Sequence, residues 1–238
     1  MLEKLKVLIW LRWKIILTNK SILLQILLPV AFIFLYKYLG TVDTYSNRQG
    51  QDEGIFMICL IFSFILAVGS PITTILSEEK EKNNLKTLLI SGIKDYEYVI
   101  STLFFPILIT IIIMGITPLI LNFKIISIFQ YMFVVFFTAL SIILIYLFLG
   151  ISAKNQVNGQ IMSLFAMLII MFLPLLASFN SFIEKITDYS FLGLFYTLFI
   201  NEGHISVHKS VSQVISLGVW IIILLILNTL SLKRVKKI

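Results

Sequence analysis

Charge is the first thing this sequence lacks. Only 13% of its 238 residues are Asp, Glu, Lys or Arg, about half the share of a soluble domain. It has one cysteine, Cys59, set in an apolar run, so an intrachain disulfide is excluded and the redox compartment is not readable. None of its 11 glycines is followed by lysine, which excludes the phosphate-cradling G-x-x-x-x-G-K-[ST] loop. It has two histidines, His204 and His208, four positions apart. That spacing suits two metal ligands on one helix face, but the zinc-protease pattern needs Glu at 205, where Ile205 stands, and a zinc site needs three or four ligands. No metal or cofactor site is expected on this chain.

What remains is apolar. Hydrophobic residues make up 59% of the chain and the mean hydropathy is +1.01, against about 45–50% apolar in a soluble domain. The net charge of +7 lies beside apolar runs, so membrane topology explains it better than a nucleic-acid partner. A helix crosses a hydrocarbon core of about 30 Å with about 20 mainly apolar residues. Uncharged runs of 24, 26, 29, 29 and 23 residues lie between Glu53 and Glu78, Glu97 and Lys124, Lys124 and Lys154, Lys154 and Glu184, and Lys209 and Lys233. The run Ser21–Tyr36 is shorter, but Lys37 can snorkel and extend that span to Leu39. The runs are continuous, without the alternation of barrel strands. The expected fold is therefore all-α: a single transmembrane domain over 1–238 with spans at 21–39, 54–77, 98–121, 130–151, 159–178 and 213–232.

Lysine and arginine set the orientation. Fourteen lie on the side of the two termini and five on the other, which predicts both termini in the cytoplasm of a multi-pass protein of the bacterial cell membrane. Charges at Arg12, Lys14 and Lys20 interrupt any early apolar core, against a cleaved signal peptide. In the first twenty residues Leu2, Leu5, Ile9, Trp13 and Ile16 recur at helical spacing, with Lys4 and Lys14 on the other side. That pattern predicts an N-terminal amphipathic helix at the interface, in preference to a mere charged flank of span 1. Residues 40–53 are polar and read as a short external loop.

Residues 78–97 form the longest loop on the side of the termini. It begins as a charged extension of span 2, then places Leu85, Leu88 and Leu89 at i, i+3, i+4 with Ile93 a turn later, and breaks at Ser91-Gly92. Such a helix can dock into a groove on a partner or lie on lipid headgroups, and the pattern alone does not choose. On the opposite side, residues 179–212 form the longest connector, with Phe191, Leu194, Phe195, Leu198 and Phe199 as an apolar stripe. Its helix is too short to span and reads as re-entrant or interfacial, a candidate extracellular gate helix. The spans carry no ionisable residue except Lys37 near an end, which argues against an ion-coupled transporter. Glu78-Glu79 have neither a following arginine nor a histidine within a span, so an intramembrane protease is disfavoured. Ser63, Thr73, Thr74, Thr110 and Thr117 are expected to bond carbonyls or neighbouring helices, and Pro71, Pro106, Pro118 and Pro174 to permit kinks.

The run Ser77-Glu78-Glu79-Lys80-Glu81-Lys82-Asn83-Asn84-Leu85-Lys86-Thr87-Leu88-Leu89-Ile90-Ser91-Gly92 resembles the first cytoplasmic loop of type-2 ATP-binding-cassette exporter permeases. The family pattern runs Glu-Glu-Lys-Glu-Arg-Gly-Thr-Leu-Glu-x-Leu-Leu before a Pro-containing turn. Here Lys82-Asn83-Asn84 replaces Arg-Gly-Thr, and Ser-Gly replaces the turn. The resemblance extends to the six-span plan. It implies a partner set of two cytoplasmic ATPase subunits, which hold the ATP and magnesium, and a second six-span permease, identical or paralogous. It also implies that Leu85, Leu88, Leu89 and Ile93 lie on a coupling helix seated in the ATPase, with Glu78, Glu79 and Glu81 on the extension that relays its motion. Small members of the family export amphipathic peptides, bacteriocins, toxins or hydrophobic drugs, or confer immunity, and the expectation here is export of a peptide, toxin or drug, with peptide export or self-immunity foremost. The competing readings are a membrane scaffold or immunity protein working without ATP, and, less favoured, an intramembrane enzyme.

Overall fold

The computed structural model describes residues 2–42, 49–123, 125, 127–200 and 207–237. These are helical almost throughout, and no strand occurs among them. Among the described residues six helices are long and apolar enough to cross a membrane, at Lys20–Tyr38, Gly54–Glu81, Asp95–Leu121, Ile128–Ser152, Gln156–Ala177 and Val211–Val235. The chain is thus a multi-pass helical membrane protein. An even number of spans puts both termini at the same end of the bundle, called here the termini side.

Helix α1 (Leu2–Thr18) ends at Asn19, whose side-chain oxygen accepts from the backbone N–H of Ser21 at 3.1 Å and starts α2 (Lys20–Val42), the first span. Helical structure enters the expected 40–53 loop from both ends, to Val42 and again from Gln49, and residues 43–48 lie outside the described residues.

Span 2 is built in three parts: α3 (Gln49–Ser63), a π-helical turn (Phe64–Gly69) and α4 (Ser70–Glu81). Pro71 cannot donate a backbone hydrogen bond, and just before it the N–H of Ser70 reaches back five residues to Ile65. Span 2 is the most enclosed of the six, 72% buried in its most apolar stretch. It sits at the centre, with α4 packed on α7 (Ile128–Ser152) and α8 (Gln156–Ala177). The contact is close because glycines allow it. A Cβ at Gly69 would lie 2.7 Å from the Tyr146 ring, one at Gly150 2.8 Å from Leu76, and one at Gly159 2.7 Å from Ser77. Thr73 donates across to the carbonyl of Tyr146 at 3.0 Å, whereas Ser63, Thr74, Thr110 and Thr117 bond carbonyls of their own helices.

Between spans 2 and 3 lies the short helix α5 (Asn84–Ile90). Asn83, in the left-handed region at φ 57°, turns the chain into it, and Gly92 at φ 86° turns it out. Span 3, α6 (Asp95–Leu121), opens with the Lys94 N–H donating to buried Glu97 at 3.0 Å. On the far side α9 (Ser181–Asp188) and α10 (Gly193–Ile200) fold between α8 and the last span, α11 (Val207–Lys237). Every residue from Gly193 to Phe199 is buried, and α10 packs on α3, α7 and α11. The connector helix therefore enters the bundle and does not lie flat on it. Phe191 precedes α10 in the turn from α9, where a Cβ at Gly193 would collide with the carbonyl oxygen of Asp188.

Candidate functional site on the termini side

Four consecutive charged residues close span 2, and each bonds to a different place. Glu78 pairs with Lys82 one turn on, at 2.6 Å, in an exposed position. That bond holds the fully solvated Lys82 ammonium above its ordinary pKa. Glu79 turns inward and receives both terminal nitrogens of Arg12 from α1, one of them at 3.1 Å, and the hydroxyl of Tyr98 from α6 at 2.6 Å. Lys80 donates to the carbonyl of Ile151 at 2.6 Å, at the C-terminal end of α7, where a cation is favoured. Glu81 accepts from the backbone N–H of Gln156 at 2.7 Å, in the first turn of α8, where an anion is favoured. The end of α4 is thereby fastened to α1, α6, α7 and α8 at once.

The Arg12–Glu79–Tyr98 group is the buried part of this hub. Arg12 is 2% exposed and Glu79 6%, and the guanidinium stands 5.0 Å over the Tyr98 ring. Burial disfavours the charge on Arg12. The facing Tyr98 and Glu79 more than offset it, so its pKa is raised and it stays a cation. Taking two charges out of water costs several kcal/mol per ion, which only close, bidentate geometry offsets. A buried pair of this kind fixes where α1 sits more than it adds stability.

Seen in the fold, the seven residues expected to couple to a partner divide in two. Glu78, Glu79 and Glu81 lie in the hub. Leu85 is fully buried in the core, Leu88 and Ile93 are half-buried against it, and Ile90 of α5 is exposed, at 65%. The side chain of Leu89 lies outside the described residues. So α5 is attached through Leu85 and, in part, Leu88, while Ile90 faces out. Between α1, α4 and α5 lies a cleft of about 380 Å³, lined by Leu11, Ile15, Ile75, Glu78, Lys82, Asn84, Thr87 and Leu88.

At the opposite end, Leu194, Phe195, Leu198 and Phe199 lie on α10 and are buried with Phe191. Phe56 of span 2 stacks on Phe123 at 4.3 Å and meets Phe199 edge-on at 5.4 Å, filling that end with aromatic rings. Gln213 of α11 donates to Asp188 and Thr197, both at 2.8 Å, and ties α9 and α10 to the last span. His204 lies outside the described residues, as does the side chain of His208. Among the described residues no three His, Cys, Asp or Glu side chains gather as metal ligands.

Arg12 and Tyr98 were not legible as site residues. In the sequence Arg12 bears on topology and on the absence of an early apolar core, and the available signal was an arginine flanked by Trp10 and Trp13 on a helix otherwise rich in lysine.

Six helical spans, an N-terminal helix clamped to the end of span 2 and a short helix between spans 2 and 3 define the class: an ATP-binding-cassette type-2 exporter permease. A protein-family model described as "Fluoroquinolones export permease protein Rv2686c-like" matches residues 14–232. The chain belongs to that family. No curated protein and no solved structure matches it. Membership makes the chain a transporter component and implies an ABC ATPase as its partner.

Proposed function

We propose that the chain is the membrane half of an ATP-driven exporter of amphipathic, drug-like molecules. Both termini and α5 face the cytoplasm, where two ATPase subunits bearing ATP and magnesium dock, and a second six-span permease completes the pathway. The observation that carries this reading is the hub at Glu78–Glu81. A force applied to α5 reaches Asn83 and then α4, and α4 is bonded to four other helices. Movement of one small helix thus becomes movement of a body. The π-helical turn at Phe64–Gly69 is a point where span 2 can change register, as π-turns do at functional sites. The packed rings around Phe199 at the other end serve as the outer gate. ATP supplies the shift by binding the closed ATPase pair more tightly than the open one.

For the substrate, the family description names fluoroquinolones, which are flat, amphipathic ring compounds. That supports the drug among the peptide, toxin and drug cargoes expected from the sequence; for the other two the comparisons offer nothing. The sparse polarity of the spans agrees with an apolar cargo.

The test is co-purification and efflux. The full chain should bring down a cytoplasmic ATPase in mild detergent, and cells expressing the pair should accumulate less fluoroquinolone. Ile90→Asp should lose both effects while the chain still reaches the membrane. A chain that brings down no nucleotide-binding subunit, or leaves drug accumulation unchanged with its ATPase present, would overturn the proposal.

A further inference from the structure

Of the described residues in the apolar stripe that the spacing suggests, only Trp13 is exposed on the outward face of α1. Packing against α6 and α2 has taken Leu8, Arg12 and Ile16 inward. Exposed instead are Trp10 (61%), Trp13 (49%) and Leu17 (48%), with Lys6 and Lys14 on the same arc and Lys20 at the start of α2. Two tryptophans and a leucine in water are costly, and lysines interleaved with them do not make a solvent face.

Charge and depth identify what covers this arc. Lys4 donates to the Gly92 carbonyl at 3.3 Å, and Arg12 is matched by Glu79. Lys6, Lys14 and Lys20 have no carboxylate partner among the described residues, and Lys14 stands 5.3 Å over the Trp10 ring. Glu3 is the only acid on α1. The arc is therefore cationic as well as apolar. Trp13 stacks on Phe105 of span 3 at 5.4 Å, about 15 Å along α6 from its first residue. Since α6 is about 40 Å long and the hydrocarbon about 30 Å thick, Phe105 lies below the headgroups. The tryptophans thus sit at the acyl boundary and the lysines beside the phosphates, where basic, Trp-bearing helices bind.

We propose that this arc is a seat for anionic phospholipid headgroups, held by Lys6, Lys14 and Lys20 around Trp10 and Trp13. Because Arg12 on the opposite face is locked to Glu79, lipid held there bears on the hub of span 2.

The experiment uses the full chain carrying Trp220→Phe, which leaves Trp10 and Trp13 as its only tryptophans, in phosphatidylcholine vesicles. A small, equal mole fraction of brominated phosphatidylglycerol or brominated phosphatidylcholine is added, and tryptophan quenching is read. The anionic lipid should quench about threefold more effectively at low salt, and the difference should vanish at high salt and in Lys6→Gln/Lys14→Gln/Lys20→Gln. As a check that needs no tryptophan change, phospholipid co-purifying with the unaltered chain should be enriched in phosphatidylglycerol and should lose that enrichment in the triple variant. Equal quenching by the two lipids, or a preference that survives the triple change, sinks the proposal. Quenching by neither would show that protein, a second copy or the ATPase, covers the arc, and would overturn it equally.

Discussion

Arg12 and Glu79, 67 positions apart, meet as a bidentate ion pair whose side chains are 3% and 8% exposed. The pair joins the N-terminal helix to the end of the central span, and the Tyr98 hydroxyl bonds the same carboxylate. Its strength is less important than its directionality. Only one placement of α1 satisfies both nitrogens, so α1, span 2 and span 3 hold one relative position.

Removing one partner should hurt more than removing both. Glu79→Leu leaves a buried guanidinium without its anion, an expected loss of about 3–5 kcal/mol. Arg12→Met/Glu79→Leu replaces the pair with apolar volume and should recover much of that loss. Thermal unfolding of the full chain in detergent reads the order, and drug-stimulated ATPase activity of the complex should stay low in both variants. A double variant less stable than either single one would show that the pair is not an isolated unit.

Leu85 and Ile90 separate holding from docking. Leu85→Asp buries a carboxylate in the core and should lower stability severely, by several kcal/mol. Ile90→Asp alters an exposed position and should leave the unfolding temperature nearly unchanged while abolishing ATPase capture. The two variants compared by melting and by pull-down check this. Equal destabilisation would place Ile90 in the fold.

Span 2 and span 4 are spaced by Gly69. A methyl there would sit 2.7 Å from the Tyr146 ring, so Gly69→Ala should cost about 1–3 kcal/mol by overpacking. Adding Tyr146→Leu should relieve part of that cost, since it removes the ring that the methyl meets. A double-variant cycle of unfolding free energies measures the coupling.

The aromatic packing at the far end should act as a seal. Phe199→Ala removes a ring held against Phe56 and Phe195, with an expected loss of about 3–5 kcal/mol. In proteoliposomes it should also raise ATP-independent leak of a fluorescent fluoroquinolone. Unchanged leak in a folded variant would remove α10 from the gate.

The hydrocarbon thickness of a membrane is a one-dimensional constraint, so run lengths between charges predicted the six spans. The break at Gly92 after α5 was similarly readable, since a turn needs backbone freedom at a particular position, whereas the left-handed turn at Asn83 before it was not read. Residue spacing on a lone helix does not say which arc a neighbour will cover. The apolar stripe of α1 marked an interfacial helix, but did not show that Arg12 would take the buried arc, because Glu79 and Tyr98 come to it from distant parts of the chain. The same limit hid the roles of Lys80 and Glu81, whose partners are a carbonyl and an N–H that any residue would provide. It also left open the place of Leu85, where helical spacing showed an apolar face but not that the protein's own core would cover it. What the sequence by itself determined was crossing number, helix type and the chemistry available at each position. Which charges would be drawn out of water and matched was decided only by tertiary packing, because that choice depends on groups brought together through space.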